Sequence, residues 1–226
     1  MTTAQEAYER YLIKVEKNST NNNIATDRMR FVIMYNELKN RVIKWYLNNK
    51  DKVEIKDIQV LLVDWKRVAP ERIHLNHVDF KLPSDFLSNS YIQATGSLGK
   101  CKEQDIWLYE VRPEELAQVL NNEYFKPSFE YRECPYTFSN DKINIYIEEG
   151  MKIDSIHLTY YRYPNKIALK NEDDPDSPFD ENYNIELPDE VLDRVISAIS
   201  GDFKINTENQ AFQLDKLREK ENLNLQ

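Results

Sequence analysis

Glycine is scarce in this sequence, with 4 in 226 residues, and cysteine and histidine are scarcer still at 2 and 3. Each scarcity removes a class of chemistry. A phosphate-cradling Gly-rich loop and a Gly-x-Ser-x-Gly nucleophile elbow need glycines at spacings that do not occur here. Cys101 and Cys134 are too few for a thiolate metal site and fit a reduced compartment, with a single disulfide as the alternative. Long apolar runs are missing too, so no bilayer-spanning segment is expected. The start, MTTAQEAYERYLIKVEKN, carries acids and has no apolar core, which argues against a signal peptide and for cytosolic synthesis.

The histidines offer little. His74 and His77 form a His-x-x-His pair, HLNH, read as having no Cys or acid at ligand spacing beside it, and His157 stands alone, so these read as ordinary partly buried histidines. The acid pairs Glu114–Glu115 and Glu148–Glu149 are adjacent and would point apart or lie in a turn. No catalytic residue, cofactor or metal is expected. A hydrolase whose constellation assembles from distant positions stays open as an alternative.

What the chain does have is charge, at 31% of residues, and 41% hydrophobic residues, enough for a real core. The net charge of −9 is concentrated: residues 171–193 hold ten acids and no base. Within it, NEDDPDSPFDEN reads as a solvated linker, with Asp173, Asp174, Asp176, Asp180 and Glu181 exposed. Calcium is the sharper reading, but Pro178 and Phe179 fall where an EF-hand loop needs a ligand and its turn glycine.

Residues 1–74 are expected to be helical. Ala7, Tyr8, Tyr11, Leu12 and Val15 recur at helical steps. After NSTNNN, Thr26 is placed to cap a second helix, whose seam runs through Phe31, Tyr35, Leu38, Val42 and Trp45. Arg28, Arg30, Lys39, Arg41 and Lys44 would form its solvated basic face. VEIKDIQVLLVDWKRVA is ambiguous, and its length favours a helix.

Residues 75–170 change to a β pattern with one short inserted helix. FKLPSDFL marks a turn, and YIQATGSLGKCKEQDIWLYEV gives two extended runs around a loop with Gly96 and Gly99. PEELAQVLNN interrupts as a helix with Pro113 at its first position. YFKPSFEYRECPYTFSN and DKINIYIEEG resume the strands, and Ile143, Ile145 and Ile147 alternate with polar neighbours. Gly150 is then expected to turn the chain into MKIDSIHLTYYRYP as a hairpin. Alternation places Ile156, Leu158, Tyr160 and Arg162 on one face, and His157, Thr159, Tyr161 and Tyr163 on the other. The tyrosines of this run therefore do not make one stacking platform for nucleic acid.

Residues 171–187 are the acidic linker, and 188–226 a C-terminal helix and tail. LPDEVLDRVISAISGDF opens a helix at Pro188, with Val191, Val195, Ala198 and Ile199 apolar. In the tail, Phe212, Leu214 and Leu217 give only a thin stripe, which suggests docking on a partner.

The ordered series KLPSDFL, GKCKEQDIWLYEVRPEEL, NNEYFKPSFEYRE, INIYIEEGMKIDSIHLTYYRYPNKI and LPDEVLDRVISAISGDFKINTENQAFQLDKLR resembles the ring-type neck and tail structural proteins of crAss-like bacteriophages. More loosely it is similar to the tail-tube adaptors of other short-tailed phages. The resemblance covers roughly residues 75–226. It implies an α+β fold in which N- and C-terminal helices form a bundle around an inserted antiparallel β-domain. It also implies a homo-oligomeric ring, commonly a dodecamer, in the virion head-tail connector below the portal protein. Adjacent ring or tail proteins would be further partners, and genomic DNA would pass through without sequence-specific binding or any membrane involvement. Tyr161, Tyr163, Phe203, Phe212, Leu214 and Leu217 are the candidate interface residues. A β-rich nucleic-acid or glycan-binding module is the alternative from another class, since tyrosines serve both uses.

Overall fold

The computed structural model describes residues 2–18, 27–49, 55–174 and 176–201. Thr26, Phe203, Phe212, Leu214 and Leu217 lie outside the described residues. The fold is mixed α+β, with five helices among the described residues and one curled eight-stranded sheet. None of those helices is long and apolar enough to cross a membrane. The chain divides into two compact units, one made of residues 1–60 and 164–226 and the other of 61–163.

In the first unit, α1 (Ala4–Asn18) buries Ala7, Tyr8, Tyr11 and Val15, as its spacing predicts. Helix α2 (Arg28–Asn48) is capped by Asp27, whose carboxylate accepts from the Met29 N–H at 2.9 Å. Its buried face starts at Phe31, Tyr35 and Leu38 but then runs through Lys39, Ile43 and Tyr46, while Trp45 is 46% exposed. The expected Val42–Trp45 continuation assumes a 3.5-residue seam. A straight helix repeats every 3.6 residues, so its buried face drifts by about 20° per heptad from such a seam, toward Ile43 and Tyr46 and away from Val42 and Trp45. Lys39, expected on a solvated basic face, lies four residues from both Tyr35 and Ile43 and so shares their buried face, while Arg30, Arg41 and Lys44 stay exposed.

Phe31 is the aromatic hub of this unit. Its ring centroid lies 5.4 Å from Tyr8, 5.2 Å from Tyr11, 6.0 Å from Tyr35 and 6.2 Å from Phe179. Rings at these separations add edge and offset attraction to the burial of large apolar areas. Phe179 belongs to the acidic segment, which is thus not a bare linker: Phe179, Ile185 and Leu187 are buried, and Leu169 bridges to Phe179. The last helix among the described residues, α4 (residues 189–201), buries Val191, Leu192, Val195, Ile196 and Ile199. Pro188 sits just before it, its carbonyl accepting the first helical bond from Leu192 at 2.9 Å. Asp189 in the first turn takes the Thr2 hydroxyl at 2.7 Å and Arg10 at 3.0 Å, and these donors hold its carboxyl below the usual range.

The second unit is the sheet. A 3-10 helix (Ile55–Leu61) runs into β1 (Leu62–Val68), so the helix expected over VEIKDIQVLLVDWKRVA is half strand. The other strands are β2 (Arg72–Ile73), β3 (His77–Lys81), β4 (Phe86–Leu98), β5 (Gln104–Glu110), β6 (Glu133–Ser139), β7 (Lys142–Tyr146) and β8 (Met151–Arg162). The sheet therefore begins before residue 75. The strand order is β1-β8-β4-β5-β6-β7-β3-β2, all neighbours antiparallel except β5 and β6.

Three expectations are corrected by this topology. First, β7 and β8 do not form a hairpin: β7 lies between β6 and β3, and β8 between β1 and β4. The twelve-residue β8 finds its long partner in the thirteen-residue β4, which a five-residue β7 could not supply. Second, residues 124–132 form turns rather than strand, and the helical stretch is only α3 (Leu116–Asn121), with Pro113 in the turn before it. Third, Gly96 is inside β4, and the turn belongs to Gly99 at φ +58°. A Cβ at Gly96 would stand 2.7 Å from the Lys152 carbonyl oxygen, so that strand crossing has room only for glycine.

The inner face of the sheet holds the core. Ile92, Ala94, Ile106, Leu108, Ile143, Ile145, Ile156, Leu158 and Tyr160 alternate inward along their strands, as period two requires. Phe86 reaches both Tyr160, at 5.6 Å, and Phe138, at 5.9 Å, across the curl. Ile143, Ile145 and Ile147 are buried as expected.

Candidate functional site

The outward face of the same strands carries the most distinctive surface of the molecule. Alternation turns His157 of β8, Tyr91 and Gln93 of β4, and Asp105 and Trp107 of β5 away from the core. Register then sets them side by side, with His157 opposite Gln93 and Gln93 opposite Trp107. Trp65 joins this face from β1 by a local distortion. The β1–β8 register shifts between Val63 and Lys66, and Trp65 has φ +52°, a left-handed conformation costly for a bulky side chain.

Polar contacts hold that distortion in place. The Trp65 N–H donates to Thr159 Oγ1 at 3.1 Å, and the Thr159 hydroxyl donates to Asp64 at 2.8 Å. The indole thereby lies on His157, with centroids 4.9 Å apart and planes 13° from parallel, and beside Tyr91 at 6.2 Å and 14°. Trp65 is still 50% exposed, Tyr91 45% and Trp107 63%. Next to them Trp107, Tyr91, Tyr131, Arg132, Asp105 and Glu133 line a shallow groove of about 230 Å³. Its charged groups are of both signs. That mixture is unlike the uniformly basic track that follows a phosphate backbone.

Sequence reasoning missed this face because it sought a platform within one strand. Of the run SIHLTYYRYP only His157 puts a ring on it, while Thr159 anchors Trp65. Tyr160 is in the core, its hydroxyl donating to Asp85 at 2.9 Å, and burial followed by that bond pushes it up to about 12. Tyr161, expected to face outward for a neighbouring subunit, is 5% exposed, because most of the strand there is covered on both faces. Tyr163 is 38% exposed and keeps surface for a contact. The signal that could have pointed to the face is the spacing of Trp65, Tyr91 and Trp107 on three alternating strands.

The acidic residues lie on the surface as expected: Asp173, Asp174, Asp176 and Glu181 are exposed and Asp180 is partly so. Their carboxylates cap local turns, Asp174 taking the Asp176 N–H and Asp180 the Asn182 N–H, both at 3.0 Å.

Cys134 is fully buried beside Met151, and burial pushes its thiol up to about 12, so it is a packing group rather than a nucleophile. His74 and His77 close the turn between β2 and β3 with their rings stacked 4.2 Å apart. The acid not recognised in the sequence is Asp79, two residues along β3 and within 3.4 Å of both rings. In comparison with known proteins, the chain matches no family model and no curated protein.

Proposed function

We propose that this chain is a non-catalytic virion subunit that assembles through its exposed aromatic sheet face into a ring of the phage head-tail connector. The observation that carries the reading is the Trp65–Tyr91–Trp107 surface. Large aromatics with a polar handle, half exposed on a rigid sheet and rimmed by mixed charge, have the composition of a subunit interface. In this reading the helices of both chain ends form a bundle with the β-domain inserted between them. Twelve copies surround a channel below the portal, and neighbouring ring or tail proteins dock on the outer surfaces, Tyr163 among the contacts.

The net charge of −9 suits a channel through which DNA slides, since each phosphate-neutralising cation would add affinity and drag. The exposed Asp173, Asp174, Asp176 and Glu181 then face the lumen or the rim. The test is the mass and symmetry of the purified chain, alone and with its portal, by light scattering and electron microscopy. A closed ring supports the reading. A monomer at high concentration with the portal present overturns it.

A second reading rests on the near-parallel rings of Trp65, His157 and Tyr91, since a flat aromatic surface also suits a sugar ring or an unpaired base. Saturable binding of a glycan or oligonucleotide by a monomer, lost on Trp65→Ala, would favour that module over the ring.

A further inference from the structure

We propose that His74, His77 and Asp79 bind a first-row divalent metal ion of the zinc class, which clips together the β2–β3 hairpin. The three residues meet because of the strand geometry. Pairing of Arg72 with Asp79 and Ile73 with Val78 makes His74 and His77 the closing pair of a tight turn, sealed by the His74 N–H donating to the His77 carbonyl at 2.9 Å. His77 and Asp79 are two apart on one strand, hence on one face, and His74 is across from His77 on that face.

The donor distances suit such an ion. His74 Nε2 is 3.4 Å from Asp79 Oδ2, and His77 Nε2 is 3.4 Å from Asp79 Oδ1. Bonds of about 2.1 Å in a tetrahedral zinc-type site place neighbouring ligand atoms about 3.4 Å apart. All three donors lie within 4.8 Å of one another. Without the ion, His74 Nε2 donates its proton to Asp79 Oδ2 at 3.4 Å; binding moves that proton to His74 Nδ1 or to solvent, turns the two rings out of their parallel stack so that both Nε2 lone pairs converge on the ion, and leaves the fourth position to water.

Two further observations point to a cation. Asp79 is 9% exposed, and its Oδ1 is buried without a hydrogen-bond partner. Such an oxygen is costly to bury unless something positive meets it. The nearest candidate, His77 Nε2, is not aligned as a donor to it. Instead His77 Nδ1 lies 2.9 Å from Asn76 Oδ1, an acceptor, so Nδ1 carries the proton and Nε2 presents its lone pair toward the carboxylate. Two acceptors thus face each other, an arrangement that a metal ion resolves. A ligating histidine whose other ring nitrogen donates to an oxygen is the usual supporting arrangement in metal sites.

The experiment is a titration of the untagged full chain with Zn²⁺ by calorimetry, and with Co²⁺ followed by its visible absorption. One ion per chain is expected, with Kd in the micromolar range or tighter. His74→Ala, His77→Ala and Asp79→Asn should each weaken binding by at least about tenfold, while His157→Ala leaves it unchanged. Zn²⁺ should also raise the melting temperature of the unsubstituted chain and not that of the variants. Circular dichroism without metal checks that each variant folds. If Asp79→Asn does not, His74→Ala, on the exposed turn, decides alone. Absence of saturable binding, or binding that persists in the folded variants, as through the acidic residues of 171–193, overturns the proposal.

Discussion

The side-chain amide of Asn36 pairs with the main chain of Ile167 in both directions, Nδ2 donating to the carbonyl at 2.9 Å and Oδ1 accepting from the N–H at 3.1 Å. The same Oδ1 accepts from Lys39 Nζ at 2.9 Å, and Lys39 also donates to the Asn165 carbonyl. One helix face thus satisfies a loop backbone that no strand pairs. Asn36→Ala would orphan both Ile167 groups and one Lys39 bond. A loss of about 2 kcal/mol or more is expected in urea unfolding, and a loss under about 0.5 kcal/mol would show that water replaces the amide without cost.

Lys39 gives that cluster a pH signature. The residue is 1% exposed, and burial first, then the nearby Lys166, lower its pKa to about 8, with Glu186 opposing. An unfolded lysine titrates near about 10.4, so between these values the unfolded chain holds a proton that the folded chain has released. Stability therefore rises with pH above about 8, by up to about 3 kcal/mol. Burial raises Tyr11 to about 12, so its contribution has the opposite sign and is lost as pH climbs past about 10. Urea midpoints measured from neutral to alkaline pH should rise and then fall, and Lys39→Met should remove the rise. A flat profile for the unsubstituted chain would refute this account.

Gly96→Ala tests the tightest crossing of the sheet. The added methyl meets the Lys152 carbonyl and the Ile153 side chain at 2.7 and 2.9 Å, so backbone must shift. A cost of about 1–3 kcal/mol is expected, with a lower unfolding midpoint at unchanged denaturant slope. Full stability would mean that the register shift between Thr95 and Gly96 in the β4–β8 pairing absorbs the methyl.

Trp107→Ser separates folding from assembly. At 63% exposure the ring contributes little to its own fold, so the unfolding free energy should stay within about 0.5 kcal/mol. If the aromatic face is the subunit contact, ring formation should weaken at least about tenfold in sedimentation. An unaltered ring would remove this face from the interface.

The legible parts of the fold were those with one strong period. The α1 stripe and the alternation of Ile143, Ile145 and Ile147 follow directly from side chains that bury one face. Pairing was not legible, because strand order depends on which edges match in length and twist, and β7 and β8 are neighbours in sequence but not in the sheet. The burial of Lys39 was masked by its charge, since its spacing of four from both Tyr35 and Ile43 puts it on their face. Sites fared worst. The aromatic face draws on four strands, one of them bent by the left-handed Trp65, and the His–Asp cluster needs a two-residue turn that closes only once β2 and β3 pair.

The pairing of β1 with β8, where Leu62 meets Tyr161, has a consequence for the nascent chain. The first strand has no partner in the finished sheet until the last one is synthesised, about a hundred residues later, and closing so long a loop is slow. In that interval β1 is an unpaired edge carrying Trp65, open to the same strand in another copy. Mispairing of this kind competes with folding before the chain leaves the ribosome, so slower expression at lower temperature should raise the soluble yield.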